Sequence, residues 1–539
     1  MTRFTSVLLL LLLFSLPCFA QFKPVAESAP FEEPKTGYAK LIQLKNGNTM
    51  YLYMPAKEAI EVKVYDAAHK QKAVKAIAPG FDQSKYAVVK GVFELGGNVV
   101  VTICNYEEHR PELYRIVIDG NNGEKLSVDK LGELDKMTYG KGMGVLFGHV
   151  ALPDFFVRKD PNSDNYAVVM LNSFESDRNK RILITWYGPD NKEINRAYYT
   201  SPSDKYKYMD YLDMAVIGSA QVSVLAYAHN TPSHGGRESE LVIANLKAGA
   251  KSVDIQELPF AHDLNIRYAL TRYNPVNKQI LMVAAIQTGR SENVFGSALV
   301  FIDPFEGKVI DSKTIFPAKA NAASISMFGR KGDFNGIPQN LFVNADGSFA
   351  VVFEEMAVEN PHSFYGMSTS TADSYTKTIL GNLAVSQYDA KGDETNSYFI
   401  PKSQEMEGQL LHPFYHSLRD GAAAEMHGQN TYKSFAYIYG KDRSYIVFND
   451  ADKNEAEEKR GKIATIIYVN QSDGYYFPLI GTDIVPPRGL VFGQPNDKHE
   501  HKIGMFGVSD YDRDRNVYAM LQLDREGRSK EVNVVWLQP

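Results

Sequence analysis

His412 and His416 lie four residues apart in KSQEMEGQLLHPFYHSLRDGAAAEMHGQ, residues 402–429. On a helix that spacing puts both imidazoles on one face, as metal ligation requires. The residues between them include Pro413, Phe414 and Tyr415, so this is not the His-Glu-x-x-His pattern of metalloproteases. Pro413 fits a helix only near its start. Asp450, Asp452 and Asn454 alternate along NDADKNEAEEKRG, and Asp510, Asp512 and Asp514 do so along SDYDRDRN. Alternating side-chain oxygens suit a hard cation, so calcium is the one cofactor candidate. Neither run completes an EF-hand: Glu455 and Arg515 stand where its glycine belongs, and Gly461 and Leu521 where its bidentate glutamate belongs. The alternatives are structural or surface histidines and solvated hairpin tips whose acids are neutralised by Lys453, Arg513 and Arg515.

Ligand-binding candidates fall in three long connections. Arg330 and Lys331 lie in AKANAASISMFGRKGDFNGI, His362, Phe364 and Tyr365 in ENPHSFYGMSTSTADSYTK, and His412, Tyr415 and His416 in the segment above. Exposed aromatics there would stack on sugars or peptides. The competing reading is that Phe364, Tyr365, Phe414 and Tyr415 fasten their own loops to the scaffold, since long loops need internal packing. No Gly-x-Ser-x-Gly elbow occurs, and Ser233 beside His234 in NTPSHGGRESE reads as a hairpin. Glu354 and Glu355 are adjacent, so on a strand they point to opposite faces and do not converge. No glycine-rich phosphate loop precedes a helix. The apolar run NVVVTICNY makes Cys104 a buried thiol rather than a nucleophile.

The elements that must position these residues are short strands. Eight polar turns punctuate the chain at Asp66, Asp119, Gly188, Asn245, Asp303, Asp389, Asn470 and Asp524. They recur roughly every 53 to 86 residues, the scale of a four-stranded unit. Asp and Asn initiate turns by bonding their own backbone two residues on. Each repeat parses into four strands, such as DMAVIG, QVSVLAYAH, SELVIANL and KSVDIQELPF, with apolar second strands and alternating fourth strands. The chain resembles β-propellers of the secreted bacterial type over residues 37–539. It carries none of the WD, kelch or sialidase signatures, so the resemblance is architectural. The expected fold is all-β, a propeller of eight four-stranded blades, with seven blades as the alternative should residues 38–44 complete the last blade. Two packed sandwiches are the main rival. Helix-period stretches are confined to 402–429 and 318–328.

The opening MTRFTSVLLLLLLFSLPCFA reads as a signal peptide cut between Ala20 and Gln21, with a lipoprotein signal at Cys18 as the alternative. Residues 21–36 read as a flexible lead-in, and the last blade is parsed as ending in its own fourth strand. No later run reaches the ~18 apolar residues of a membrane span. A net charge of −6 gives no basic stripe, which argues against nucleic acid as a partner. The 32 Tyr and 29 Phe suit strands. In an up-and-down sheet the second-to-third connections and the inter-blade connections share one end, and here these are the long ones. The sequence thus leads to an exported, periplasmic or extracellular binding protein that meets an unknown protein, peptide or glycan on that end. A glycan- or peptide-acting hydrolase or lyase with its site at the channel mouth, and a structural subunit of an envelope complex, are the alternatives.

Overall fold

A computed structural model describes residues 22–148, 150–200, 205–206, 208–230, 239–260, 264, 266–287, 295–329, 332–359, 377–407, 411, 413–415, 421–424, 430–433, 435–440, 443–494, 500–525 and 531–539. Eight antiparallel sheets follow one another along the chain and form an eight-bladed β-propeller. Blades 1 to 7 span residues 36–77, 88–133, 154–198, 208–258, 266–314, 337–400 and 436–490. Blade 8 takes three strands from residues 501–538 and its outermost from Lys23–Glu27.

Burial follows strand position. Gln221–His229, second in blade 4, is buried along its whole length, whereas the outermost strand Asp254–Leu258 alternates exposed and covered residues. The core lies between neighbouring blades, because no single sheet can cover its own faces. One cluster joins Trp186 of blade 3 to Val224 of blade 4, and another joins Tyr65 of blade 1 to Trp536 of blade 8. The Trp536 indole also donates to Thr49 Oγ1 at 2.9 Å.

Turn chemistry does what the sequence implies. The carboxylates of Asp66, Asp119, Asp303 and Asp389 each accept backbone N–H groups of residues just beyond them. Asn245 sits inside the strand Ser239–Lys247, just ahead of its turn. Two anchors are displaced. Asn470 lies in a short 3-10 turn ahead of the third strand of blade 7, and Asp524 lies in the second strand of blade 8.

Both displacements have one cause, a stretch of blade 7 that is not a strand. KIATIIYVN reads as a strand, yet Ile467 and Tyr468 are exposed and only Ile466 and Val469 are buried. Ile466 instead exchanges backbone bonds with Ser403 and Glu405 after blade 6, and the parse beyond this stretch slips by one strand. Glu531–Gln538 is therefore the third strand of blade 8, buried like an interior strand. It pairs with Lys23–Glu27 and Phe31–Glu32. Residues 23–27 and 31–32, read from sequence as lead-in, thus form strands that finish the last blade. Phe22 seals the seam, its ring 4.9 Å from Tyr476 and 5.2 Å from Tyr445.

Ala318–Phe328 is the helix its sequence suggests. The described parts of 402–429 include two short strands, Gln404–Glu407 and Ala422–Ala424. Two helices without a sequence signal, Tyr139–Gly148 and Lys453–Glu458, also lie in connections. No helix among the described residues is long and apolar enough to cross a membrane.

Candidate functional site

The two ends of the disc differ. Connections 44–48, 66–70, 119–124 and 344–348 are tight turns at one end, whereas 134–153, 315–336, 401–435 and 451–472 are long segments at the other. The segment between blades 6 and 7 is the most consequential. Gln404–Glu407 pairs with Lys377–Leu380 of blade 6, and the Phe414 N–H donates to Pro338 O on that blade's inner strand at 3.3 Å. Ala422–Ala424 then pairs with Thr36–Tyr38 on the inner edge of blade 1. The Gly421 N–H reaches Gly507 O, on the inner strand of blade 8, at 2.8 Å. Lys377–Leu380 belongs to the third strand of blade 6, but Pro338, Thr36–Tyr38 and Gly507 all lie on inner strands, so the described parts of the segment form a strap at the channel mouth. Gly421 is required there: its φ is +75°, and a Cβ would lie 2.3 Å from the Tyr38 ring.

Tyr415 belongs to the anchorage of the strap. It is buried, and its hydroxyl donates to Glu354 Oε2 at 2.5 Å. The Lys402 ammonium meets Glu354 Oε1 at 2.5 Å with both side chains fully buried. This corrects Tyr415 as a ligand contact: it and Phe414 fasten the loop. Glu355 turns the other way, accepting from the Asn335 N–H and the Asn382 side chain. Arg330, Lys331, His362, Phe364, Tyr365, His412 and His416 lie outside the described residues, as do Ser233 and His234.

The acidic run of blade 7 is placed in full. Lys453–Glu458 is helical, so the period-two spacing that would converge Asp450, Asp452 and Asn454 on one ion does not exist. Asp450 meets Arg488 at 3.0 Å and accepts from the Asn454 amide at 2.7 Å. Asp452 accepts from the Tyr475 hydroxyl, and the Asn454 carbonyl caps the Ala464 N–H at 2.9 Å. Asp450 and Asn454 thus bond each other while Asp452 is taken by Tyr475, so the three do not converge on one point. Arg488 also pairs with Glu458 at 3.2 Å and lies 3.8 Å over the Tyr475 ring. Burial pushes the Glu458 carboxyl up to about 7, against the pull of Arg488 and with the help of Asp450. No group of three or more metal-ligating side chains occurs among the described residues. Asp510, Asp512 and Asp514 fall at the opposite end from the long loops, around the first turn of blade 8. Asp510 accepts the Gln43 N–H of blade 1 at 2.7 Å, and Asp512 pairs with Arg515 at 2.7 Å. Cys104 is buried, and burial lifts its thiol to about 11, which leaves it an unreactive packing group.

Two features escaped the sequence. Among the described residues, four large aromatics are exposed in connections at the long-loop end: Tyr139 at 85%, Tyr86 (in 78–87) at 62%, Tyr468 at 61% and Phe316 at 50%. They belong to different repeats, so no local pattern groups them. The second is a charged belt on the inner strands. Arg158 of blade 3 donates to Asp213 of blade 4, whose other oxygen accepts the Thr271 N–H of blade 5 at 2.7 Å. Arg272, next to Thr271, approaches the same carboxylate at 3.9 Å and reaches Asn340 of blade 6 at 3.2 Å.

The chain matches no family model and no curated protein. Among solved structures it is similar to uncharacterized protein lmo1340 from Listeria monocytogenes EGD-e, at 9% identity and a TM-score of 0.33, over 82% of this chain and 97% of that one. It is also similar to the β-propeller domain of the Trilobed protease from Pyrococcus furiosus, at 8% identity and a TM-score of 0.33, over 84% and 93%. Prolyl oligopeptidase B from Galerina marginata gives 7% identity and a TM-score of 0.41, over 91% of this chain and 56% of that one.

Proposed function

We propose that this chain is an exported, non-catalytic binding protein that receives a protein, peptide or glycan on the face bearing its long connections. One observation carries the reading. The rigid ring sends its long segments to a single end, and Tyr86, Tyr139, Phe316 and Tyr468 stand exposed in those same segments. Variable loops on a rigid scaffold are where recognition resides, and exposed tyrosines offer large contact area at low entropic cost. The strap across the channel mouth favours docking on the rim over entry into the channel.

The test is a peptide and glycan array probed with residues 21–539, in parallel with Tyr139→Ser and Tyr468→Ser. Capture by the parent and roughly tenfold weaker capture by the variants is the expected result, since exposed aromatic anchors carry a disproportionate share of binding energy. Turnover of an arrayed compound without stable capture overturns the reading, as does capture that both variants retain.

A further inference from the structure

Arg158, Asp213 and Arg272 come from the inner strands of three successive blades. One carboxylate serves two guanidinium groups, so the belt holds a surplus positive charge. Asp213 is spent. One oxygen takes Arg158, and the other takes the Thr271 N–H at 2.7 Å and its hydroxyl at 3.1 Å. The arginines are not spent. Arg272 donates to Thr271 O at 2.7 Å and to Asn340 Oδ1 at 3.2 Å, two of the five N–H bonds a guanidinium carries. Arg158 gives one N–H to Asp213.

The surplus also faces open space. Arg158 is 29% exposed and Arg272 25%, whereas the Asp213 carboxylate between them is 5% exposed. On the inner edge of a propeller that space is the channel, where low-dielectric walls focus the field of an unbalanced charge. Burial pushes Arg272 down to about 10, and the like charge of Arg158 adds to that push. Among the described residues, Asp213 is the one opposite charge acting on it. A cation so placed is short of an anion. The rings of Phe156 and Tyr211, on the inner strands that carry Arg158 and Asp213, stack at 3.8 Å beside them, and the Tyr211 hydroxyl lies against Asp213.

We propose that the channel wall of blades 3 to 5 binds a small oxyanion, a phosphate or carboxylate group, held by the spare N–H groups of Arg158 and Arg272. A planar fork of donors matches both groups bidentately. The site lies below the strap and on other residues than the rim aromatics, so it stands or falls independently of the loop-face reading.

The full chain is titrated with inorganic phosphate, citrate and acetate at constant ionic strength, with chloride as reference. Binding is read by calorimetry and by the thermal unfolding midpoint. Phosphate or a carboxylate is expected to bind saturably and raise the midpoint, and Arg158→Gln and Arg272→Gln to weaken that binding roughly tenfold or more, as loss of a charge-assisted fork should. The phosphate and carboxylate arms tell the two chemistries apart. No effect beyond chloride from any of the three overturns the proposal, as does unchanged binding by both variants. Should either glutamine variant fail to fold, selenate soaked into crystals of the parent decides. An anomalous peak within hydrogen-bonding distance of both guanidinium groups supports the site, and its absence there overturns it.

Discussion

The inner belt of blades 3 to 5 and the top of blade 7 hold the same ingredients in opposite proportion. In the belt, one buried carboxylate is shared by two part-exposed guanidinium groups. In blade 7, one buried guanidinium is shared by two carboxylates, with Asp450 1% and Glu458 15% exposed. A surplus charge must be answered by solvent, by a ligand or by a proton. Arginine does not readily shed its proton, so the belt keeps its charge and turns it to the channel. A carboxylate takes a proton readily, so the blade 7 surplus is relieved on Glu458, whose carboxyl is lifted to about 7. The pair Glu354–Lys402 gives the balanced reference, one charge of each sign and no exposure.

The largest test removes the shared ion of blade 7. Arg488→Met leaves Asp450 buried without a cation, and breaking a buried pair from one side costs ~3–5 kcal/mol. Urea unfolding at pH 8 should show that loss. At pH 5 the loss should shrink, because burial raises the Asp450 and Glu458 carboxyls and both take up protons more readily than in the unfolded chain. An equal loss at both pH values would mean that Arg488 acts mainly through its packing on Tyr475.

Next in size is the shared ion of the belt. Asp213→Asn keeps an acceptor for the Thr271 N–H but withdraws the charge between two arginines. Its expected cost is about 1–3 kcal/mol, the range for an interaction left poorly satisfied. The loss should be larger at low salt, where the two cations are less screened. A cost independent of salt would show that hydrogen bonding to Thr271, rather than charge, gives Asp213 its weight.

Neither cluster was legible in the sequence, whereas the ring was. Asp66, Asp119, Asp303 and Asp389 announce their turns because an Asx turn is local, written in two or three consecutive residues. Closure is not local: Glu531–Gln538 meets its partner at the far end of the chain, so Lys23–Glu27 passed for a lead-in. The clusters fail for the same reason. Arg158 and Asp213 are 55 residues apart and meet only because successive inner strands are neighbours. Asp450, Asp452 and Asn454 mislead in the opposite sense. They are close in sequence and look like cation ligands, but the helix at Lys453–Glu458 turns Asn454 onto Asp450 and leaves Asp452 to Tyr475. The long loops were correctly grouped at one end, yet Tyr415 proved to be an anchor, because an aromatic in a loop has the same sequence signature whether it faces solvent or blade.

The shape of the stability curve probes the blade 7 surplus directly. Glu458 titrates at about 7 in the folded chain and near the ordinary 4.5 when unfolded. The folded state therefore holds this proton more tightly. The stability it contributes is full below about pH 4.5 and is lost as pH rises to about 7, with no further change above. Glu458→Gln should remove that slope while still accepting from Arg488, and should gain on the parent at pH 8. Urea midpoints from pH 4 to 8 measure this, and parallel curves for the two proteins would place the surplus charge elsewhere in blade 7.

The smallest expected effect sharpens the comparison most. Arg272→Met deletes one of two cations that share a carboxylate, so Asp213 keeps Arg158 and the Thr271 bonds. The lost contacts to Thr271 O and Asn340 are offset by relief of repulsion from Arg158, and by a methionine that fills much of the same volume. Net change should stay within about 1 kcal/mol, far below that of Arg488→Met, although each removes one arginine from a three-charge cluster. Low salt should move the variant toward greater stability relative to the parent, because the relieved repulsion is then less screened. If Arg272→Met proves as costly as Arg488→Met, the second arginine is structural and the belt carries no surplus charge to offer an anion.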